Sequence, residues 1–217
     1  MMPVTFGSQA PKIELISLTT AWLDAVTDIH LEAYKNRTNF SQLLGRAFVH
    51  RTYAWFCERP DRFGFVALFD EKPVGFIVGA EFAPETRLNK YRLLTGLRQV
   101  VIKPWLMFSR SMVRGLASRI SSLFRKSKVW EIEFREGEIL TLYSLAVLPE
   151  YARYRIANLL LKECEKYAAA IGKRLILTRV GAQNLSSLMV HRLVGYSVDP
   201  SRSEDAEKFL YRRIATT

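Results

Sequence analysis

Apolar and polar positions repeat at two different periods along the chain, and together they predict an α/β domain. Residues 12–18 (KIELISL) alternate with a period of two, which is typical of a strand with one buried face. Residues 19–34 carry apolar side chains three or four positions apart, which predicts an amphipathic helix that Thr19 or Thr20 could cap. A second helix of this kind is predicted over residues 41–58.

Strand patterns dominate the middle of the chain. Residues 63–69 and 74–82 are predicted strands joined by Asp-Glu-Lys-Pro, which is a hairpin signal. Further strands are predicted over residues 130–134 and 139–147, and Pro149 ends the second of them.

The last third of the chain alternates helix and strand. A strong apolar stripe predicts a helix over residues 156–171, with Gly172 as its stop signal. The residues of that stripe are Ile156, Leu159, Leu160, Cys164, Tyr167, Ala168 and Ile171. The later elements are a strand at 175–180, a helix capped by Asn184 and running to about Val194, and two closing strands at 196–198 and 208–214. This order predicts one domain over residues 1–217, with a mixed, partly antiparallel sheet flanked by helices.

The net charge is concentrated in one segment. The chain has 32 Lys and Arg against 21 Asp and Glu, a formal charge of +11. Residues 86–128 hold eleven of the basic residues and no acidic residue, so the rest of the chain is balanced at 21 against 21. A protein that coats DNA would be basic over much of its surface, so the pattern predicts a neutral domain carrying a basic helical insert.

Several other classes of protein are disfavoured. The N-terminal residues lack the charged and apolar regions of a signal peptide, and no apolar run approaches the ~18 residues of a membrane span. Cys57 and Cys164 each fall in a helix-like apolar pattern and are predicted to be buried free thiols, not a disulfide or a metal site. We therefore expect a cytoplasmic protein with no bound metal.

The segment from Leu142 to Leu161 carries the most chemistry. A buried strand ends at Val147, a turn follows, and a helix begins near Arg155. Backbone amides at such a helix start have no intrahelical acceptor and can bind an anion, and Arg153 and Arg155 add positive charge there. An ordinary strand, turn and helix with two solvated arginines remains an alternative.

This segment resembles motif A of the GNAT acetyltransferases, a strand ending in V-x-P and then [Q/R]-x-x-G-x-[G/A] at a helix start. Val147-Leu148-Pro149 matches the strand end, and Ala157 matches the Gly/Ala position. Ala152 and Arg155 depart from the pattern, where the family has Gln or Arg and the first glycine. Downstream, Asn184-x-x-Ser187-x-x-x-His191-x-x-x-Gly195-Tyr196 resembles the family block N-x-x-A-x-x-x-Y-x-x-x-G-[F/Y].

The resemblance implies acetyl-CoA as acyl donor and a primary amine as acceptor. It also implies the contacts to CoA. The pyrophosphate would sit on the loop amides, the pantetheine arm would lie along the edge of the central strand, and the helix-cap block would add further contacts. These cofactor-binding residues are Leu145, Ala146, Val147, Arg153, Tyr154, Arg155, Ile156, Ala157, Asn184 and Ser187.

The resemblance also suggests where proton transfer takes place. The family often uses a tyrosine to protonate the leaving thiolate, and His191 stands at that position. Histidine can donate a proton near neutral pH, although a packing role for His191 is equally open. Glu138, at the start of the central strand, is the first choice for the general base. Glu131, Glu133 and Tyr143 are its rivals.

The basic insert admits three interpretations. Its apolar stripes predict two amphipathic helices, which could pack on the domain with the charges simply solvated. The stripe of the first helix is Leu93, Leu94, Leu97, Val100 and Val101. The basic surface could instead lie on an anionic membrane, which would make the protein peripheral there. It could also bind an anionic or lipid-linked acceptor such as an amino sugar. We expect no nucleic-acid partner, since no stacking platform is visible. A catalytically inactive GNAT-fold module that binds CoA or a membrane is the alternative function.

Overall fold

The computed structural model describes residues 11–35, 43–81, 88, 91–92, 94–95, 134–200, 203 and 206–215. Within these ranges seven strands form one sheet in the order β1-β2-β3-β4-β5-β7-β6. The strands are β1 (Ile13–Ser17), β2 (Arg62–Phe69), β3 (Lys72–Glu81), β4 (Ile139–Val147), β5 (Leu175–Gly181), β6 (Ser197–Asp199) and β7 (Glu207–Arg213). All neighbours pair antiparallel except β4 and β5, which are parallel.

Helices cover both faces of the sheet. They are α1 (Leu23–Ala33), α2 (Arg46–Cys57), α3 (Ile156–Ala170) and α4 (Leu185–Leu193). Buried side chains of α1 and α2 pack with Phe76 and Val78 of β3 in one cluster. Buried side chains of α3 pack with Ile77 of β3 on the opposite face. The predicted mixed α/β fold is confirmed, with successive residues of β3 pointing to the two layers.

The local signals for turns and helix ends are confirmed. Asp70 and Glu71 have φ of 47° and 66°, so the predicted β2–β3 hairpin closes through two left-handed residues. Gly172 has φ of 72° at the end of α3. Asn184 caps α4, since its side-chain oxygen accepts a hydrogen bond from the Ser187 amide at 3.4 Å.

Three expectations are corrected at the level of single elements. Thr19 precedes a 3₁₀ turn and makes no side-chain cap, so α1 begins only at Leu23. The helix predicted over residues 41–58 is interrupted at Gly45, which has φ of 78°. Residues 43–44 are helical before it and α2 follows it from Arg46, while Ser41 lies outside the described residues. Phe134 is not in a strand, and residues 130–133 lie outside the description.

Two buried surfaces also differ from the predicted stripes. Leu159 is exposed on α3, and Leu161 takes the buried position instead. Cys164 is a buried free thiol as expected, whereas the free thiol of Cys57 is half-buried at the end of α2. The inward face of α3 is therefore turned relative to the predicted stripe, and that of α2 ends before Cys57.

The described part of the basic insert packs on α2. Leu88 is fully buried in the α1–α2 cluster, and the Tyr91 hydroxyl donates a hydrogen bond to the Arg51 carbonyl at 3.2 Å. Thr95 is also buried, so the inward face follows positions 88, 91 and 95. Leu94 lies beside that face and is 59% exposed, contrary to the predicted stripe. The second predicted helix of the insert lies outside the described residues.

Candidate active site

The central strands β4 and β5 separate halfway along their length. Their parallel ladder joins only residues 139–142 to residues 175–178. Beyond these four pairs β4 continues against β3, and β5 continues against β7. The sheet therefore opens into a gap between the C-terminal halves of β4 and β5.

A bulge in β4 lies where the gap begins. Val78 pairs with Ser144 and Gly79 pairs with Leu142, so Tyr143 is an extra residue in β4. A bulge re-aims the side chains next to it. Here the Tyr143 ring lies 5.8 Å from the Phe56 ring, and the next side chain, Ser144, also reaches α2 through a hydrogen bond.

A cavity of about 190 Å³ occupies this gap. Side chains and backbone from α1, β4, β5 and α4 line it, and within the described residues none of the lining side chains is acidic. The lining residues are Tyr34, Leu142, Tyr143, Ser144, Leu145, Thr178, Arg179, Val180, Gly181, Asn184, Ser187 and His191.

The backbone of β4 is divided between the gap and β3. The Leu145 carbonyl accepts a hydrogen bond from the Tyr34 hydroxyl at 2.9 Å, so it points away from β3. The Leu148 amide donates to the Val74 carbonyl at 2.9 Å, and by alternation the backbone of Ala146 faces β3 as well. Of the three residues predicted to serve a pantetheine arm, Leu145 and Val147 therefore face the gap and Ala146 does not.

The loop after β4 is a 3₁₀ turn that ends in a left-handed residue at the start of α3. Residues Pro149–Tyr154 form a 3₁₀ helix, and Arg155 follows with φ of 56° and ψ of 27°. That left-handed conformation costs a non-glycine residue about 1–2 kcal/mol. The first helical hydrogen bonds of α3 run from the amides of Asn158 and Leu159 to the Arg155 carbonyl. The amides of Ile156 and Ala157 therefore have no acceptor within the helix.

Charge and aromatic rings surround this loop. The side chains of Arg153 and Arg155 are both exposed. One guanidinium nitrogen of Arg153 donates to the Tyr154 hydroxyl at 2.8 Å, and the Tyr154 ring lies 4.5 Å from that of Phe69. The exposed positive charge and the unbonded amides together suit a phosphate-bearing ligand.

His191 is buried in the wall of the cavity. Only 3% of it is exposed, and its Nδ1 lies 2.8 Å from the Ser187 carbonyl oxygen. Because a carbonyl oxygen can only accept, Nδ1 carries the proton and Nε2 keeps a lone pair. Burial lowers the pKa of His191 more than this hydrogen bond raises it, so the imidazole is neutral at pH 7.

Glu138 lies away from the cavity, at the N-terminal start of β4. Its carboxylate accepts from the Arg135 amide at 2.8 Å and from the Arg174 guanidinium at 3.1 Å. The first of these bonds, helped by the second, lowers the pKa of Glu138. At ~3.3 Å per residue, six residues of strand separate it from Ser144 by roughly 20 Å. Its proposed rivals Glu131 and Glu133 lie outside the described residues, whereas Tyr143 lines the cavity.

A second buried imidazole lies behind the opposite wall. The Tyr53 hydroxyl is 2.7 Å from His30 Nδ1 and 3.1 Å from Ser144 Oγ. Tyr53 is 1% exposed and His30 8%. Burial lowers the pKa of His30 to about 4, with a smaller contribution from the positive charge of Arg92. Burial likewise raises the pKa of Tyr53, so both groups are neutral at pH 7.

The fold therefore gathers only part of the predicted site around the cavity. Leu145, Asn184, Ser187 and His191 line it, while the loop from Arg153 to Ala157 forms a separate feature at the end of β4. Tyr34 and Ser144 were missed, as were His30 and Tyr53 behind them. The spacing of His30 and Tyr34, four residues apart, places both on one face of α1, but it does not indicate which strand they meet.

No helix in the described part of the chain is long and apolar enough to cross a bilayer. Within the same residues, no group of three or more His, Cys, Asp or Glu side chains could hold a metal ion.

Comparison with known proteins agrees with this architecture. A family model described as the acetyltransferase (GNAT) family matches residues 23–196. No curated protein matches the chain. Among solved structures, yncA from Salmonella typhimurium, solved with its cofactor acetyl-CoA, is 12% identical with a TM-score of 0.59, and the match covers 94% of this chain and 95% of that one.

Two further structures share the fold. The PaiA N-acetyltransferase of Thermoplasma acidophilum, solved with coenzyme A, is 14% identical with a TM-score of 0.57, covering 93% of this chain and 99% of its own. NAA60 of Arabidopsis thaliana, solved with acetyl-CoA, is 15% identical with a TM-score of 0.56, covering 94% and 99%. At these identities the likeness shows the fold alone.

Proposed function

Because the chain belongs to the acetyltransferase (GNAT) family, we propose that it transfers the acetyl group of acetyl-CoA to a primary amine. The observation that carries this proposal is the gap between β4 and β5, with a buried neutral histidine in its wall and, at the end of β4, a turn with unbonded amides and exposed arginines. Related folds solved with acetyl-CoA or CoA support the same acyl donor.

The residues of the turn fit the diphosphate of CoA. Arg155 stands where the resemblance places a glycine, yet it keeps a left-handed conformation that glycine adopts freely. The turn that glycine would allow is thus retained. The amides of Ile156 and Ala157 and the exposed side chains of Arg153 and Arg155 would hold the phosphates, and the backbone of Leu145 and Val147 would hold the pantetheine arm.

His191 suits a proton shuttle between the amine and the sulfur. When bound, acetyl-CoA supplies an acetyl group activated as a thioester. As the amine nitrogen bonds to the acetyl carbon, Nε2 of neutral His191 accepts the proton that the amine loses. His191, then an imidazolium, returns that proton to the sulfur as the carbon–sulfur bond breaks. The hydrogen bond from Nδ1 to the Ser187 carbonyl keeps Nε2 as the reacting atom in both steps.

The test of acetyl transfer is direct. The purified protein is incubated with acetyl-CoA and a panel of primary amines: glucosamine, glucosamine 6-phosphate, spermidine and a short peptide with a free N-terminus. We expect a gain of one acetyl group on at least one amine by mass spectrometry. His191→Gln should reduce the rate about 100-fold, within the range for a positioned acid–base group. His50→Gln, at a partly exposed helix position, is the matched control and should keep the wild-type rate.

The acceptor is proposed to be anionic or lipid-linked, for example an amino sugar that carries phosphate. Residues 86–128 hold eleven basic and no acidic residues. Arg92, within this segment, acts electrostatically on His30 and Tyr53 behind the cavity. We expect glucosamine 6-phosphate to have a lower KM than glucosamine at low salt, and the difference to shrink at high salt. Equal KM values would contradict an anionic acceptor.

Attachment to an anionic membrane is the other use of the same charge. Flotation with vesicles of anionic or of neutral lipid distinguishes it from recognition of a dissolved acceptor. Binding to anionic vesicles alone, reversed by salt, would support peripheral attachment. Absence from both kinds of vesicle would remove it.

One observation favours an inactive CoA-binding module as a second candidate. Among the described residues no carboxylate lines the cavity, so no acidic general base is at hand. Calorimetry with acetyl-CoA separates the two functions. Saturable binding without acetylation of any amine in the panel would favour the module. No binding at millimolar acetyl-CoA would exclude both functions.

A further inference from the structure

A buried chain of hydrogen bonds runs from the cavity wall to α1. Ser144 lines the cavity, its Oγ lies 3.1 Å from the Tyr53 hydroxyl, and that hydroxyl lies 2.7 Å from His30 Nδ1. The three residues come from β4, α2 and α1. The β4 bulge at Tyr143 lies directly before Ser144, at the position where Ser144 turns toward α2.

The donors and acceptors along these hydrogen bonds are ordered by which ring nitrogen of His30 carries the proton. His30 Nε2 is buried and has no hydrogen-bond partner among the described residues. A neutral imidazole has one N–H, and placing it on Nδ1 satisfies that donor through the Tyr53 oxygen. The Tyr53 hydroxyl then donates to Ser144 Oγ, and the Ser144 hydroxyl hydrogen is left for an acceptor in the cavity.

We propose that the Ser144 hydroxyl donates a hydrogen bond to the thioester carbonyl oxygen as that oxygen gains negative charge, and that Tyr53 and His30 are the positioning residues that fix its direction. The inference rests on the proposed acetyl transfer. No proton changes owner in this step, because each hydroxyl and the imidazole keep their own hydrogen. A donor fixed before the reaction stabilises the developing charge without having to reorient.

The groups packed around His30 and Tyr53 maintain this order of donors and acceptors. The ring of Tyr34 lies 4.7 Å from that of His30 on the same face of α1, and Arg92 adds positive charge from the insert. Burial and this charge both disfavour imidazolium, so His30 stays neutral through the pH range of an assay. The Tyr53 ring packs edge-on against Phe76 at 4.9 Å, which holds its hydroxyl between His30 and Ser144.

The experiment compares four variants: Ser144→Ala, Ser144→Thr, Tyr53→Phe and the double variant Ser144→Ala/Tyr53→Phe. The assay measures kcat and KM for acetyl-CoA with whichever amine of the panel the wild type acetylates fastest. We expect Ser144→Ala to lower kcat about 100-fold with KM within twofold, as for loss of one oxyanion donor. Ser144→Thr keeps the hydroxyl and should recover most of that loss.

Coupling between the two positions separates positioning from mere packing. Tyr53→Phe keeps the ring, and we expect it to lower kcat about tenfold when Ser144 is present and not at all in the Ser144→Ala background. The same loss in both backgrounds would overturn the role of Tyr53. A kcat within threefold of wild type for Ser144→Ala would overturn the whole inference. If Tyr53→Phe does not fold, the Ala and Thr variants at Ser144 still decide it.

The outcomes also distinguish this inference from the proposed function. Acetylation by the wild type with no effect of Ser144→Ala would remove the donor and leave the acetyltransferase standing. A wild type that acetylates no amine of the panel would overturn both.

Discussion

Acidification from pH 7 to pH 5 should destabilise the protein by about 2 kcal/mol through His30 alone. His30 is 8% exposed, and burial lowers its pKa from 6.5 to about 4, with Arg92 adding to the shift. Tyr34 and Tyr53 are the other titratable groups that face it. Below pH 6.5 the unfolded chain binds a proton at His30 that the folded protein excludes. Stability is therefore full above pH 6.5 and is lost as the pH falls toward 4.

The magnitude follows from the two pKa values. Each unit of difference corresponds to about 1.4 kcal/mol, so the full loss from neutral pH to below pH 4 is about 3 kcal/mol. At pH 5 the unfolded state is almost fully protonated at this residue and the folded state only about one tenth. About 2 kcal/mol of the loss has therefore occurred at pH 5.

The assay is urea unfolding at pH 7 and pH 5, followed by tryptophan fluorescence and analysed by linear extrapolation. His30→Gln removes the imidazole. The free energy of unfolding of this variant should therefore fall by about 2 kcal/mol less between pH 7 and pH 5 than that of the wild type. His50→Gln is the matched control, since 38% of that side chain is exposed, and it should lose as much as the wild type. A difference between His30→Gln and wild type below about 0.5 kcal/mol would refute the reasoning.

Three further outcomes are expected. Because burial lowers the pKa of His191, kcat should fall only below pH 6.5 as the pH is lowered, and this fall should be absent in His191→Gln. A fall that begins above pH 6.5 would contradict a neutral His191 as the proton shuttle. Asn184→Ala should cost about 1 kcal/mol in urea unfolding by removing the cap of α4, and no loss would show that the cap bond is without effect. Gly79→Ala should cost over about 2 kcal/mol, because its Cβ would lie 2.8 Å from the Thr141 carbonyl oxygen and against the Phe63 ring. Gly137→Ala, with no atom within 4 Å, is its control; equal effects would show that this crowding is relieved.

The acceptor proposal and the chemistry of the cavity concern different parts of the chain. Residues 86–128 carry the entire excess of positive charge, while His191 in the cavity wall and His30 and Tyr53 behind it are neutral at pH 7. Salt should therefore act on KM for an anionic acceptor and on membrane attachment more than on kcat. Substitution at His191 or Ser144 should act on kcat.

The order and type of most described elements could be predicted from the sequence because their causes are local. A period of two in residues 12–18 became β1, and a helical stripe in residues 156–171 became α3. Gly172 and Asn184 mark helix ends through their own conformation or side chain. The second predicted helix differs from the structure because Gly45, with its positive φ, interrupts it directly before α2.

The family resemblance was also a property of the sequence, since the motif residues are near neighbours in it. Leu145, Asn184, Ser187 and His191 do line one cavity, although residues 145 and 184 stand on different elements. Glu138 shows the limit of that approach. Its residue type suits a general base, but it lies at the N-terminal end of β4, where β4 and β5 are still paired. The gap opens only after Leu142 and Thr178, and the sequence does not show where that pairing ends.

The sequence by itself determined most of the described elements, the turn after β4 and the segregation of charge. Only the tertiary structure decided which polar side chains share the cavity. Tyr34 meets Leu145 across 111 residues of sequence, and Tyr53 meets Ser144 across 91. Those contacts depend on strand order, on where one parallel ladder stops and on one extra residue at Tyr143. These features result from packing the whole sheet between two layers of helices, so no local pattern encodes them.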